Sequence, residues 1–318
     1  MKLKDLSKEY LNQTVELVVL IGGVTLKRTK SDKVYADVVV QDSTKRMETK
    51  CWDYEQFEDV FTEVSEDQPV KIKGLVGEYN DRVQLTIKDI RPIKEGSYDL
   101  GDFIRKSDWD LKMMEKSLKV FYDKVESPEI KELIKRLIFS EPYYSRFTTY
   151  PAAKMVHHNF YHGILQHTLE VLKYALTVAT TKKLTQRQID RLIAIGLLHD
   201  WAKIKEYHPL PKLDLTDEGI MLGHIFLGSY QVEKEIETIE GFSKEDRLVI
   251  LNGILGHHGA LEFGSPVLPK TVEAQILHQA DKLSGDVESI LQFTEDHSEE
   301  DESFTPKLWN MGTGYYKG

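Results

Sequence analysis

Five of the chain's eleven histidines fall in an ordered series with two aspartates: His167, the pair His199-Asp200, His224, the pair His257-His258, and Asp281. Imidazole and carboxylate together suit Mn, Fe, Co, Ni or Zn better than Ca or Mg, which favour shells of oxygen alone. An aspartate directly after a histidine can reach two ions at once. The series therefore predicts a hydrolase with one metal ion or a pair of ions, in which bound water becomes a nucleophile near neutral pH.

Each group alone is weak. His167 lies on an apolar helical stripe (Leu165, Leu169, Val171, Leu172), where a lone histidine is more often a packed core residue than a ligand. His199-Asp200 shifts the balance. It ends the apolar run LIAIGLLHD, and an ionised carboxylate at the end of a buried helix is costly unless a cation compensates it. Lys203, three residues on, shares nearly the same helical face; it either pairs with Asp200 or reaches a phosphate oxygen. His224 (MLGHIFLGS), His257-His258 (NGILGHHG) and Asp281 (ILHQADKLSG) are polar groups in apolar helical surroundings. Helices that converge such groups build two-metal centres. The ligand count divides them into one site of His167, His199, Asp200 and Asp281, and a second of Asp200, His224 and His257. His258 is either a third ligand of the second site or a group behind it. Ions about 3.5–4 Å apart would share a hydroxide in phosphodiester cleavage.

Two regions must position these groups. From about 13 to 93 the apolar period is two. Strands are expected at Val15 to Ile21, Val34 to Gln41, Arg46 to Trp52, 69–79 and 82–90, with Gly77 and Asn80-Asp81 marking the last turn. A helix is expected from Tyr54 to Val64, between strands three and four. Five strands with that helix describe an OB-type β-barrel, a fold that often binds single-stranded nucleic acid on one face. Such a face mixes cations and aromatics. The candidates are Lys27, Arg28, Tyr35, Lys50, Trp52, Lys73 and Arg82, with Lys30, Arg46, Lys71 and Tyr79 in reserve. For each one singly, a barrel-filling aromatic or a solvated charge is the more ordinary role.

Residues 94–107 read as a linker or docking segment. Beyond them the period is helical: 108–125 capped by Ser107, a helix from Ser127-Pro128 to about 139, then 163–181, 185–203, 218–238, 244–257 and 271–292, with Thr185 and Ser243 as caps. The expected domains are thus 1–93, a barrel; 94–107, a linker; 108–294, an all-α domain; and 295–318, an acidic C-terminal tail that is mobile or straps a neighbouring surface. His157, His158 and His162 precede the first ligand; they line the substrate path or hold a loop, and His162 is taken as a catalytic candidate beside Asp200 and Lys203. Glu262 is either a leaving-group acid or a solvated loop carboxylate.

Bulk properties set limits. A net charge of −10 argues against coating nucleic acid by bulk electrostatics, but not against a nuclease whose metals supply local positive charge. No apolar run approaches the roughly 18–20 residues of a membrane span. The single cysteine, Cys51 in a strand pattern, suits a buried thiol in a reducing cytoplasm.

The order H…HD…H…HH…D, with HDWAK at its second position, resembles the HD-domain metal phosphohydrolases. The barrel joined to it, together with PAAKMVHHNFYHGILQHTLEV, GLLHDWAK and ILGHHGALEFGSP, resembles the YhaM family of bacterial 3′–5′ exoribonucleases over about residues 13–290. The resemblance implies a fold of an OB barrel followed by an all-α HD domain. It also implies a manganese-type divalent ion, single-stranded RNA or DNA as substrate, 5′-mononucleotide products and a bacterial cytoplasm. Trp201-Ala202 departs from the small pair common after HD and is expected to alter the pocket wall. Two other readings remain open at this point: a phosphohydrolase of small nucleotides with a regulatory barrel, and a nucleic-acid-binding protein with an inert metal site. The barrel favours a polymeric substrate, and the complete ligand set opposes an inert site. A homo-oligomer is compatible with the sequence.

Overall fold

Alternating residues of the first region turn inward and close a barrel. A computed structural model describes residues 1–64, 68–79, 82–94, 96–98, 100–153, 158–209, 214–298 and 302–318. Residues 1–106 form one compact unit, and the described residues from 107 onward form another. In the first, β1 (Thr14–Arg28), β2 (Val34–Gln41), β3 (Arg46–Cys51), β4 (Val70–Tyr79) and β5 (Arg82–Pro92) close in the order β1-β2-β3-β5-β4. Helix α1 (Glu58–Glu63) lies between β3 and β4, as the OB pattern requires. Leu17, Val19, Val38, Val40, Ile72 and Ile87 are fully or almost fully buried, each contributing about 1.5–3 kcal/mol of transfer free energy. Cys51 is buried among them.

Strand β1 runs seven residues beyond the expected Ile21. Its first half pairs with β4 (Thr14 opposite Leu75) and its second with β2 (Arg28 opposite Val34). The register shifts between Ile21 and Gly23, and this bulge lets one strand bend from one neighbour to the next. The glycine pair that resembles a strand end is a bend within it. Gly77 likewise lies inside β4, opposite Gln84; Asn80-Asp81 lie outside the described residues. The segment after the barrel stays with the first unit to Lys106, with Phe103 and Ile104 buried.

The second unit is helical. Its first helices are α2 (Leu111–Asp123), α3 (Pro128–Ile138), α4 (Tyr143–Thr149), α5 (Gly163–Thr181) and α6 (Gln186–Leu198). They are followed by α7 (Lys203–Glu206), α8 (Asp217–Thr238), α9 (Lys244–Gly256) and α10 (Val272–Asp296). Side-chain caps set the boundaries: Ser127, Thr185, Ser243 and Thr271 each accept from a backbone N–H in the first turn. Asp110, not Ser107, caps α2; the Ser107 hydroxyl instead joins Gln166 and the Trp109 N–H. Helices α5, α6, α9 and α10 pack on one another around Leu169, Leu172, Ile195, Ile250, Ile254 and Leu277. Helix α6 is buried along almost its whole length, which explains its uninterrupted apolar run. No helix among the described residues is long and apolar enough to cross a membrane.

Candidate metal centre

Helix ends, not helix middles, aim several of the candidate ligands. His199 is the C-cap of α6 and His257 the C-cap of α9. Each ring turns its Nδ1 back to a carbonyl of its own last turn: His199 to Gly196 at 2.8 Å and His257 to Ile254 at 2.7 Å. A carbonyl can only accept, so both rings carry the proton on Nδ1 and present a bare Nε2 inward. His258 repeats the device, its Nδ1 donating to the Phe263 carbonyl at 2.8 Å. His167, inside α5, bonds Ser284 through Nδ1 at 3.2 Å; the Ser284 hydroxyl donates to Glu170 at 2.8 Å.

His224 is re-aimed by its backbone. Gly223 breaks the helical path of α8 with φ 68° and ψ 156°, a conformation glycine adopts without penalty. The next N–H, that of His224, then donates to Glu206 Oε1 at 2.9 Å, and His224 Nδ1 lies 3.0 Å from both Glu206 oxygens. At the HHG turn, Gly259 has φ +80°, and a Cβ there would lie 2.1 Å from the His278 ring. His278 donates to the His257 carbonyl at 2.8 Å, so this close approach locks the turn that carries two candidate ligands.

The inward atoms fall into two groups. Ligand atoms of His167, His199 and Asp281 lie within 4.8 Å of one another, as do those of His224, His257 and His258. Asp200 stands between the two. Its Oδ2 is 3.5 Å from His167 Nε2 and 3.6 Å from His199 Nε2; its Oδ1 is 3.5 Å from His224 Nε2 and 3.6 Å from His257 Nε2. Asp281 Oδ1 closes the first group at 3.0 Å from His167 Nε2.

The arrangement calls for a cation. The Nε2 atoms of His167 and His199 are 3.4 Å apart, and with the His199 proton on Nδ1 its Nε2 is a free donor for a cation. Asp200 Oδ1, His224 Nε2 and His257 Nε2 are buried and make no hydrogen bond among the described residues. Each such orphan costs about 1–3 kcal/mol unless satisfied. Protonation states agree for two of the rings, whereas for His257 burial is outweighed by Asp200 and Asp281, which raise it. Burial pushes His199 down to about 4 against the pull of Asp200 and Asp281. Burial, with His257 and His224 nearby, does the same to His258, also about 4. Both rings are neutral at pH 7, as ligands must be. Burial favours the neutral acid for Asp200, yet Lys203 and the surrounding imidazoles hold it well below the usual carboxylate range. Burial opposes ionisation of Asp281 too, but His167, His199 and His257 hold it down in the same way. The donor set of nitrogens and carboxylates fits divalent metal chemistry of the manganese-to-zinc kind.

Lys203 Nζ is 2.7 Å from Asp200 Oδ2. With Asp200, His258 and Asp281 it lines a cavity of about 200 Å³. His162 occupies another position. It is the N-cap of α5 with φ 71°, its Nδ1 donating to the Thr148 carbonyl at 2.6 Å, and it is not among the grouped ligand atoms. The loop-holding role fits it. His158 is buried with Nε2 3.2 Å from Glu170; His157 lies outside the described residues. Glu262 is exposed in a short turn. Trp201, expected in the pocket wall, is fully buried in the helical core instead, its indole N–H donating to the Leu137 carbonyl at 2.7 Å.

Three groups behind the candidate ligands lie outside the set that the sequence predicts: Glu206, Glu170 and Ser284. Glu170 is held at about 2, its burial outweighed by bonds from His158, Gln166 and Ser284. Replacing Glu206 with alanine frees both the ring and the backbone N–H of His224. Loss of such an orienting carboxylate lowers metal affinity about 10–100-fold, and titration of the variant with a divalent ion checks this; wild-type affinity would show that Gly223 alone suffices to aim the ring.

The barrel candidates divide between two surfaces. Lys27 pairs across β1 and β2 with Tyr35. Tyr35 stacks on Trp52 with ring centroids 4.6 Å apart, and Lys50 Nζ stands 5.7 Å from the centre of the Tyr35 ring. Asp37, on the same face, is shared by Lys27 and Lys50. Burial alone would raise Asp37, but those two lysines hold it low. Lys73 lies elsewhere, 3.6 Å from Glu16 on the β1–β4 side, with Lys71 at 2.5 Å. Arg28 pairs with Asp32 at 3.0 Å. The side chain of Arg82 lies outside the described residues.

Comparison with known proteins matches residues 164–286 to the HD domain and residues 18–93 to an OB-fold nucleic acid binding domain. The chain is 30% identical to the 3′-5′ exoribonuclease YhaM of Bacillus subtilis (strain 168) over 281 residues, which is 88% of this chain and 87% of that one. It is 31% identical to 3′-5′ exoribonuclease YhaM of Geobacillus sp. (strain WCH70) over 281 residues, 88% of this chain and 85% of the relative. Among solved structures, the mitochondrial single-stranded DNA binding protein Rim1 of S. cerevisiae aligns with 26% of this chain and 97% of its own, at 15% identity and a TM-score of 0.24.

Proposed function

Since this chain belongs to the YhaM family of 3′-5′ exoribonucleases, we infer that the convergent histidines and aspartates are its hydrolytic centre. The protein is a metal-dependent 3′–5′ exoribonuclease: it removes nucleotides from the 3′ end of single-stranded RNA by hydrolysing phosphodiester bonds. The observation that carries the assignment of the centre is the split of Asp200. Its two oxygens face two different groups of imidazoles, as a carboxylate shared between two ions must.

On this reading the first ion is held by His167, His199, Asp200 and Asp281, and the second by Asp200, His224, His257 and His258. Manganese is the ion proposed, and single-stranded DNA a second substrate. When bound, such a pair of ions lowers the pKa of a water toward neutrality and offsets charge on the attacking and leaving oxygens. The chain supplies the rest. Carbonyls of Gly196, Ile254 and Phe263 fix which nitrogen of each ring is free, so no tautomer change is needed before binding. Lys203 offers its ammonium to a non-bridging phosphate oxygen at the cavity wall. The apolar packing of α5, α6 and α9 behind the ligands keeps bulk water away, which strengthens every charge interaction inside. In the barrel, Tyr35 and Trp52 stack bases while Lys27 and Lys50 follow the backbone.

The test is incubation with a 5′-labelled single-stranded RNA and manganese. A ladder that shortens from the 3′ end, releases 5′-mononucleotides and stops on chelation is expected. Intact RNA beside hydrolysis of free nucleotides would favour the small-nucleotide reading and refute this one.

A further inference from the structure

The sequence of the C-terminal segment suggests a mobile tail or a strap. Its described part, residues 302–318, is a hairpin. Thr305 N–H donates to the Tyr315 carbonyl at 2.8 Å, Leu308 N–H to Thr313 at 2.9 Å and Lys317 N–H to Ser303 at 3.0 Å. Phe304 and Tyr316 meet across it with ring centroids 5.5 Å apart. The turn is tight: Met311 and Gly312 both donate to the Leu308 carbonyl, and Gly312 has φ +73°. The hairpin is tied down. Thr305 and Leu308 are buried, and the Lys317 ammonium bonds the carbonyl of His297, at the end of α10, at 3.0 Å.

Its tip carries Trp309 and Asn310. Asn310 lines the same cavity as Asp200, Lys203 and Asp281. Trp309 beside it is 79% exposed. A tryptophan held that far into solvent by an ordered turn has no packing role in its own unit. Next in sequence to a residue that lines a cavity shared with a candidate phosphodiester-cleaving centre, an exposed indole is a platform for a base, and the asparagine amide offers both donors and an acceptor to a nucleotide. We propose that this hairpin tip grips the 3′ end of the strand, with Trp309 stacking on a base of the last nucleotides and Asn310 bonding the nucleotide that enters the cavity. The inference rests on the exonuclease reading and adds to it a binding element outside the residues matched to either domain.

The experiment compares two 5′-labelled RNA strands, one ordinary and one with abasic sugars at its last two positions. One stacked base is worth on the order of tenfold in binding, so the wild-type enzyme is expected to favour the ordinary strand by about that factor in kcat/KM. Trp309→Ala is expected to lose that preference to within about twofold, through KM, while Trp309→Phe keeps most of it. Asn310→Ala is expected to slow both strands severalfold. A Trp309→Ala variant that retains the wild-type preference overturns the proposal. So does one that loses equally on both strands, because the hairpin is then only a scaffold. If the wild-type enzyme shortens neither strand, the exonuclease reading itself fails, a result distinct from either of these.

Discussion

Replacing Asp200 with alanine is expected to lower strand shortening by about 10³-fold or more, since several kcal/mol of metal-derived stabilisation are lost and each 1.4 kcal/mol is tenfold. The size follows from position. Asp200 is the residue whose two oxygens face both imidazole groups, so on the proposed assignment its loss takes a ligand from each site. It also leaves Lys203, buried and 2.7 Å from Oδ2, without its counter-charge, and an uncompensated buried charge is strongly destabilising. Asp200→Asn separates the two effects. It keeps the shape but not the anionic bridge, and the same collapse in rate is expected from it in a protein that melts cooperatively. Wild-type turnover in either variant would refute the shared-ligand assignment.

Removing residues 1–93 is expected to raise the KM for a long single strand by about 10²-fold, because a two-ring platform forfeits stacking worth about 1–3 kcal/mol per base. Cleavage of a dinucleotide is expected to change only a few-fold. The contrast arises because the proposed binding groups of the barrel (Tyr35, Trp52, Lys27, Lys50) sit in the first compact unit, while all seven candidate ligands sit in the second with its own core. Steady-state kinetics on both substrates decide it. An equal loss on the two would assign the barrel to folding or assembly rather than to holding the polymer.

Much of this is legible in the chain because period and chemistry agree. The change from alternation to helical spacing near residue 107 marks the two units, and polar groups on apolar stripes mark the candidate ligands. What the sequence hides has physical reasons. Glu206 sits in the charged stretch KIKE, where a carboxylate looks like any solvated one; only the break at Gly223 brings His224 back to it. Glu170 is different. It lies three residues after His167, and that spacing alone places the two on nearly the same face. Gly22-Gly23 reads locally as a strand end, because a bulge is defined by the partner strand and not by its own residues. Helix α4 is a single short piece too brief to show a period. The hairpin at 302–318 is masked by the acidic run before it, although its aromatics at 304 and 316 and its glycines at 312 and 314 are visible signs of a turn.

The barrel is legible as a fold, but its binding surface is less even than a list of cations and aromatics suggests. Lys27, Tyr35, Lys50 and Trp52 gather on one face, while Lys73 pairs with Glu16 on another. Asp37 between Lys27 and Lys50 also reduces the net charge there. Alternation along β2 exposes this feature, since Tyr35 and Asp37 are two residues apart.

The central claim is that one aspartate and six other side chains hold two ions. Metal-free protein titrated with manganese, with bound ion counted per chain by elemental analysis, tests it directly. Two ions per chain are predicted for the wild-type protein; saturation at one, or no binding at all, would contradict the account.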